Sequence, residues 1–91
     1  MNVSQTAIFE RLRKKLHVNQ NAALDRAVRK ISENPKIGEL KKGDLNDVRV
    51  YKFNMINHQM LLAYIETRHE IILIYFGSHE NFYRDLKKNV K

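Results

Sequence analysis

Val48-Arg49-Val50-Tyr51-Lys52-Phe53-Asn54-Met55, followed by Met60-Leu61-Leu62-Ala63-Tyr64-Ile65 and Ile71-Ile72-Leu73-Ile74-Tyr75-Phe76, decides the fold. The first run alternates, with Tyr51, Phe53 and Met55 on one face and Lys52 and Asn54 on the other, the two-residue period of a strand. The second and third are short, apolar and rich in branched and aromatic residues. They are too short for helices of their own and are bounded by polar turn residues. Asn57-His58 sits where a hairpin loop belongs, and Thr67-Arg68-His69-Glu70 forms the next turn. The pattern predicts an antiparallel meander over Val48–Met55, Met60–Glu66 and Ile71–Phe76, with Gly77 ending the last strand.

Upstream of Gly38 the period changes. Leu24, Ala27, Val28 and Ile31 recur at i, i+3, i+4, i+7, one buried stripe of a helix. Asn19 or Asn21 is a plausible N-cap, and Asn34-Pro35 stops the helix because the residue before proline disfavours α geometry. Ile8, Phe9, Leu12 and Leu16 make a shorter stripe, and a break at His17-Val18-Asn19 folds the two into a helical hairpin. For Asn2–Thr6 the pattern leaves open whether a short edge strand forms. Residues 41–46 read as a turn punctuated by Gly43-Asp44. Glu80–Lys88 reads as a terminal helix, with Phe82 and Leu86 four residues apart. The expectation is one domain over residues 1–91, of α+β class. An N-terminal helical hairpin packs on an antiparallel sheet of three to four strands, and a short C-terminal helix follows. Two strands are apolar on both faces, so the terminal helix or loops cover the remainder, or some apolar sheet surface is left for a partner.

Hydrophobic residues make up 43% of the chain, enough for a core and too many for a disordered tail. With no cysteine, disulfides and thiolate metal sites are excluded. Residues 1–15 lack the apolar run of a secretory signal, and no apolar run spans a bilayer, so a cytoplasmic location away from membranes is expected. Seventeen Lys and Arg against ten Asp and Glu give a net charge of +7. For so small a domain that implies a polyanionic target, an acidic protein partner, or both.

No His/carboxylate cluster has metal-ligand spacing, no glycine loop cradles phosphate, and no Ser-His-Asp set stands out, so neither cofactor nor metal is expected. RNA cleavage needs none: a base takes the 2′-hydroxyl proton, cations stabilise the phosphate, and an acid protonates the leaving oxygen. His79, Lys52, Tyr83, Arg49 and Arg84 carry the side chains for those roles. His79 follows the last strand, where it serves equally as a site residue or as a structural cap. Lys52 faces away from Tyr51 and Phe53. Arg49 has the opposite parity to Lys52, so it braces the sheet or a nearby loop unless a bulge intervenes. Arg84, Lys87 and Lys88 form a basic run, a solvated face or a set of phosphate contacts. His17, His58 and His69 fall in turns as exposed polar residues.

Several blocks together resemble the RelE/ParE toxin superfamily, particularly its small ParE-like branch, across some two-thirds of the chain. They are Asn34-Pro35-x-Ile37-Gly38, Lys42-Gly43-Asp44-Leu45, Val48 to Phe53, Leu61-Leu62-Ala63-Tyr64, and Gly77-Ser78-His79-Glu80-Asn81-Phe82-Tyr83-Arg84. The resemblance implies a toxin of a type II toxin–antitoxin module, held by an acidic, partly disordered cognate antitoxin in a hetero-oligomeric complex. It implies either ribosome-dependent, metal-independent cleavage of messenger RNA, or poisoning of DNA gyrase without bond-making chemistry. A degenerate toxin acting only as an antitoxin-binding co-repressor is the third possibility. His79 and Tyr83 match the histidine and aromatic that YafQ-like nucleases carry after the last strand, and Lys52 falls where RelE-like toxins carry a catalytic lysine or histidine. The chain departs from both nuclease types. Met60-Leu61-Leu62 lacks the RelE-like strand arginine, and Gln59-Met60 stands where YafQ-like enzymes have an acid and a tryptophan.

Overall fold

The long hairpin forms because Val48–Met55 (β3) and His58–Glu66 (β4) alternate in register, from Val48 opposite Ile65 to Met55 opposite His58. Its loop is Ile56-Asn57, one residue earlier than expected. Both residues have positive φ, 43° and 66°, which a two-residue turn of primed type demands. Asn tolerates that region; a β-branched Ile does not, so the composition pointed to the wrong pair. Glu70–Ser78 (β5) continues the meander antiparallel to β4, one residue past Gly77. Thr67 organises the turn between them, its Oγ1 accepting from the Glu70 N–H at 3.0 Å.

The computed structural model describes residues 2–41 and 47–89, the side chains of Lys87 and Asn89 aside. The expected turn at 41–46 therefore lies, apart from Lys41, outside the described residues. Asn2–Gln5 (β1) does form an edge strand, and it runs parallel to β5. Glu39–Leu40 (β2) pairs with β3 on the other edge. The sheet thus has five strands, ordered β1-β5-β4-β3-β2, against the three to four expected. The class is α+β as predicted, and the additions are short edge strands whose few residues carry no period.

Ala7–Lys14 (α1) and Val18–Glu33 (α2) are the helical hairpin. Thr6 caps α1, its Oγ1 accepting from the Phe9 N–H at 3.2 Å. The α2 cap is His17 rather than Asn19 or Asn21: the Gln20 side chain turns back to accept the His17 N–H at 2.8 Å. Arg13 and Asp25 pair across the two helices. The hairpin buries Phe9, Leu24, Ala27 and Ile31 against Leu62, Tyr64, Ile71, Leu73 and Phe76. Phe9 meets Phe76 edge-on at 5.1 Å between ring centres.

The opposite face of the sheet is covered by Phe82–Asn89 (α3), which begins two residues later than expected. Phe82 and Leu86 are buried against Val48, Val50, Leu61, Ala63 and Ile74. Both apolar faces are accounted for in large part by helices of this chain. A register break lets β5 serve both. Ala63 pairs with Tyr75 and Tyr64 with Leu73, so Ile74 is an extra residue, a β-bulge. Ile74 and Tyr75 consequently both point towards α3, and Phe76 returns to the helical hairpin. The freed Ile74 carbonyl accepts from Thr6 Oγ1 at 3.0 Å, so one hydroxyl caps α1 and satisfies the bulge.

Candidate functional site

Even-numbered β3 residues Val48, Val50 and Lys52 face α3, and this parity places the site. Lys52 stands opposite Leu61, past the end of the apolar strip that α3 covers. Beyond β5, His79 is anchored by its backbone, its N–H donating to the Gln59 carbonyl at 3.4 Å, and its side chain is exposed. Tyr83 lies in the first turn of α3, its ring edge-on to Phe82 at 5.1 Å. Lys52, His79 and Tyr83 line one open cleft of about 530 Å³, floored by Val50 and Leu61. Three residues from two elements and a loop are brought together.

Two charged residues not singled out in the sequence complete the cleft: Glu39 and Lys41, one within β2 and one beside it. Glu39 pairs with Val50, so its side chain shares the face of Lys52. The Lys41 ammonium is bonded to the Glu39 carboxylate and lies 5.4 Å from the centre of the Tyr83 ring, within cation–π range. The hydrogen bond from Lys41, with its charge, holds the Glu39 carboxyl below its usual value, and Lys52 adds to the effect. The bond to Glu39, then the contact with Tyr83, pushes the Lys41 ammonium up. A two-residue strand has no periodicity, and of the pair only Lys41 falls in the 41–46 stretch that reads as a turn. Parity counted back from Lys52 could not have crossed it.

Arg49 is not in this cleft. Its guanidinium donates to the Gly38 carbonyl at 2.8 Å and pairs with Glu66 at 3.4 Å, with both side chains largely buried. Tyr64, fully buried, donates its hydroxyl to the Pro35 carbonyl at 2.6 Å and accepts the Gly38 N–H at 2.9 Å. A Cβ on Gly38 would lie 2.8 Å from that hydroxyl, which explains glycine there. The Asn34-to-Gly38 block, Arg49 and Tyr64 therefore form one clasp that fixes where β2 starts, and hence where Glu39 and Lys41 stand. Arg84 is exposed and pairs with Asp85 at 3.6 Å; Lys88 is exposed, and the Lys87 side chain is outside the described residues. Tyr75 donates to Asp85 at 3.2 Å, tying α3 to β5.

Among the described residues no three of His, Cys, Asp and Glu converge as metal ligands, and no helix is long and apolar enough to cross a membrane. The cleft offers two ammonium groups, an imidazole, a phenol and one carboxylate. These suit holding a phosphodiester, moving a proton and stacking on a base.

Several solved structures share the fold, three of them as follows. A chain of the intact Escherichia coli RelBE toxin–antitoxin complex aligns with TM-score 0.68 at 18% identity, over 87% of this chain and 96% of that one. A doubly arginine-substituted mutant of E. coli toxin RelE in the free state gives 0.74 at 14%, over 98% and 92%. The YoeB/ParE toxin of Agrobacterium tumefaciens gives 0.64 at 14%, over 87% and 99%. No curated protein matches the sequence. The family of ParE-like toxins of type II bacterial toxin–antitoxin systems matches residues 3–87, nearly the whole chain. By that match, the chain belongs to the ParE-like toxins of type II bacterial toxin–antitoxin systems.

Proposed function

We propose that this toxin cuts messenger RNA on the ribosome, and so arrests translation, using the cleft between β3 and α3. The observation that carries the reading is the convergence of Lys52, His79 and Tyr83, far apart in sequence, on one open, cationic cleft. A 2′-oxygen that loses its proton attacks the adjacent phosphorus, the P–O5′ bond breaks, and the 5′-oxygen takes a proton. The products are a 2′,3′-cyclic phosphate and a 5′-hydroxyl. His79 acts as general base or acid, Lys52 stabilises charge on the phosphate, and Tyr83 stacks on a base or relays the proton. Arg84, Lys87 and Lys88 lie along α3 as contacts for flanking phosphates. The cognate antitoxin is an acidic, partly disordered chain drawn by the +7 charge, in a hetero-oligomeric cytoplasmic complex.

One observation favours a second reading, gyrase inhibition without chemistry. Where RelE-like nucleases carry a strand arginine, Leu61 and Leu62 are buried apolar residues and Met60 is partly buried. The test is expression without antitoxin, mapping RNA ends and plasmid supercoiling in the same cells. His79→Ala is expected to reduce cleavage about 10²–10⁴-fold, the usual worth of a positioned acid or base, with the fold intact. Undiminished growth arrest by folded His79→Ala, with altered supercoiling and no new RNA ends, replaces the nuclease by the gyrase inhibitor.

A further inference from the structure

The cleft holds an anion of its own. Glu39 is paired with Lys41, lies within electrostatic reach of Lys52, and is held ionised by both. Lys41 and Glu39 differ in exposure. The Lys41 side chain is 26% exposed and rests against the Tyr83 ring, whereas that of Glu39 is 75% exposed. The ammonium is packed against the ring, and the carboxylate faces solvent. From this geometry we infer that Glu39 is an internal stand-in for a phosphate: single-stranded RNA binds by displacing its carboxylate from Lys41. Lys41 then holds the phosphodiester next to the one on Lys52, while the base between them stacks at Tyr83. The inference rests on the nucleic-acid reading of the cleft and adds two residues to it, Lys41 as a phosphate ligand and Glu39 as a competitor.

The consequences differ from those of a merely structural ion pair. Removing the Glu39 charge relieves the competition and tightens RNA binding. A structural pair, once broken, loosens β2 and weakens binding. The gain should be about two- to fivefold in Kd, the scale of an exposed ion pair. Removing the Lys41 charge weakens binding and lowers the slope of log K against log salt by about 0.7, the value for one single-strand phosphate contact.

The probe is a fluorescein-labelled RNA hexamer with 2′-O-methyl groups throughout, which cannot be cut by 2′-oxygen attack. Its binding is read by fluorescence anisotropy from 50 to 300 mM salt. The proteins are wild type, Glu39→Gln, Lys41→Met, the double variant, and Glu33→Gln, which removes an exposed carboxylate of α2 that does not line the cleft. Glu39→Gln should tighten binding where Glu33→Gln does not, and most of that gain should vanish when Lys41 is methionine. A gain equal to that of Glu33→Gln, one that persists without Lys41, or a loss on Glu39→Gln overturns the inference. So does absence of hexamer binding by both wild type and Glu39→Gln. None of these binding results touches the RNA-end mapping on which the nuclease reading stands, so each fails separately.

Discussion

Tyr64→Phe removes one oxygen atom from a fully buried site, and the structure fixes what that costs. The hydroxyl is bonded twice, to the Pro35 carbonyl at 2.6 Å and to the Gly38 N–H at 2.9 Å, so its loss strands a donor and an acceptor. Gly38 is buried against the Tyr64 ring, so its N–H is left without a partner, while the part-buried Pro35 carbonyl loses less. An unsatisfied buried group costs about 1–3 kcal/mol, and the ring itself keeps its apolar contacts. The expected loss is therefore about 2–4 kcal/mol, or a fall in Tm of roughly 10–25 °C for a domain of this size. Thermal unfolding followed by far-UV circular dichroism, with urea unfolding as a check on the slope, measures it. A control, Tyr51→Phe, alters a half-buried tyrosine whose hydroxyl makes no hydrogen bond among the described residues, and it should change Tm little. If Tyr64→Phe melts within about 3 °C of wild type, the clasp around Gly38 does not hold β2 as described.

Three further outcomes follow from particular residues. Ile56→Asn relieves a β-branched residue at φ 43° on an exposed turn and should stabilise by about 1 kcal/mol, raising Tm by roughly 4–8 °C. Alkaline titration should unfold the protein early: burial raises the hydroxyl pKa of both Tyr64 and Tyr75, the bond to Asp85 adding to the latter. A raised folded-state value gives stability that is whole below the ordinary tyrosine pKa near 10 and lost as pH climbs through the folded one, so melts at pH 9 and pH 11 should differ in that sense. In an RNA cleavage assay, Tyr83→Phe should lose less activity than Tyr83→Ala if the ring stacks on a base; equal losses assign the hydroxyl to proton transfer.

The sheet was legible because a strand with one buried face writes its period into the sequence, and Lys52 could be assigned its face by counting from Tyr51. The same count correctly set Arg49 on the other side. It failed across β5, where residues 71–76 are apolar without exception and conceal the bulge at Ile74. Of the candidate site, His79, Lys52 and Tyr83 could be gathered from residue chemistry and resemblance. Glu39 and Lys41 could not. Their place depends on a hydroxyl and a guanidinium, on Tyr64 and Arg49, which are remote in sequence from the strand they position. Hydrogen bonds between distant residues leave no local pattern.

The parallel pairing of β1 with β5 sets a timetable for the nascent chain. Asn2 lies beside Glu70 and Gln5 beside Leu73, and the Thr6 cap of α1 leans on the Ile74 carbonyl. Contacts that span so much of the chain close late and make folding slow compared with local hairpins. Synthesis runs from the amino terminus, so the residues of β1 are made early and wait unpaired until β5 has left the ribosomal tunnel. Until then α1 lacks the strand it packs on, and afterwards the outer edge of β5 is briefly an open template for any extended segment nearby. A chain assembled in this order has no finished sheet until β5 is free to take up β1.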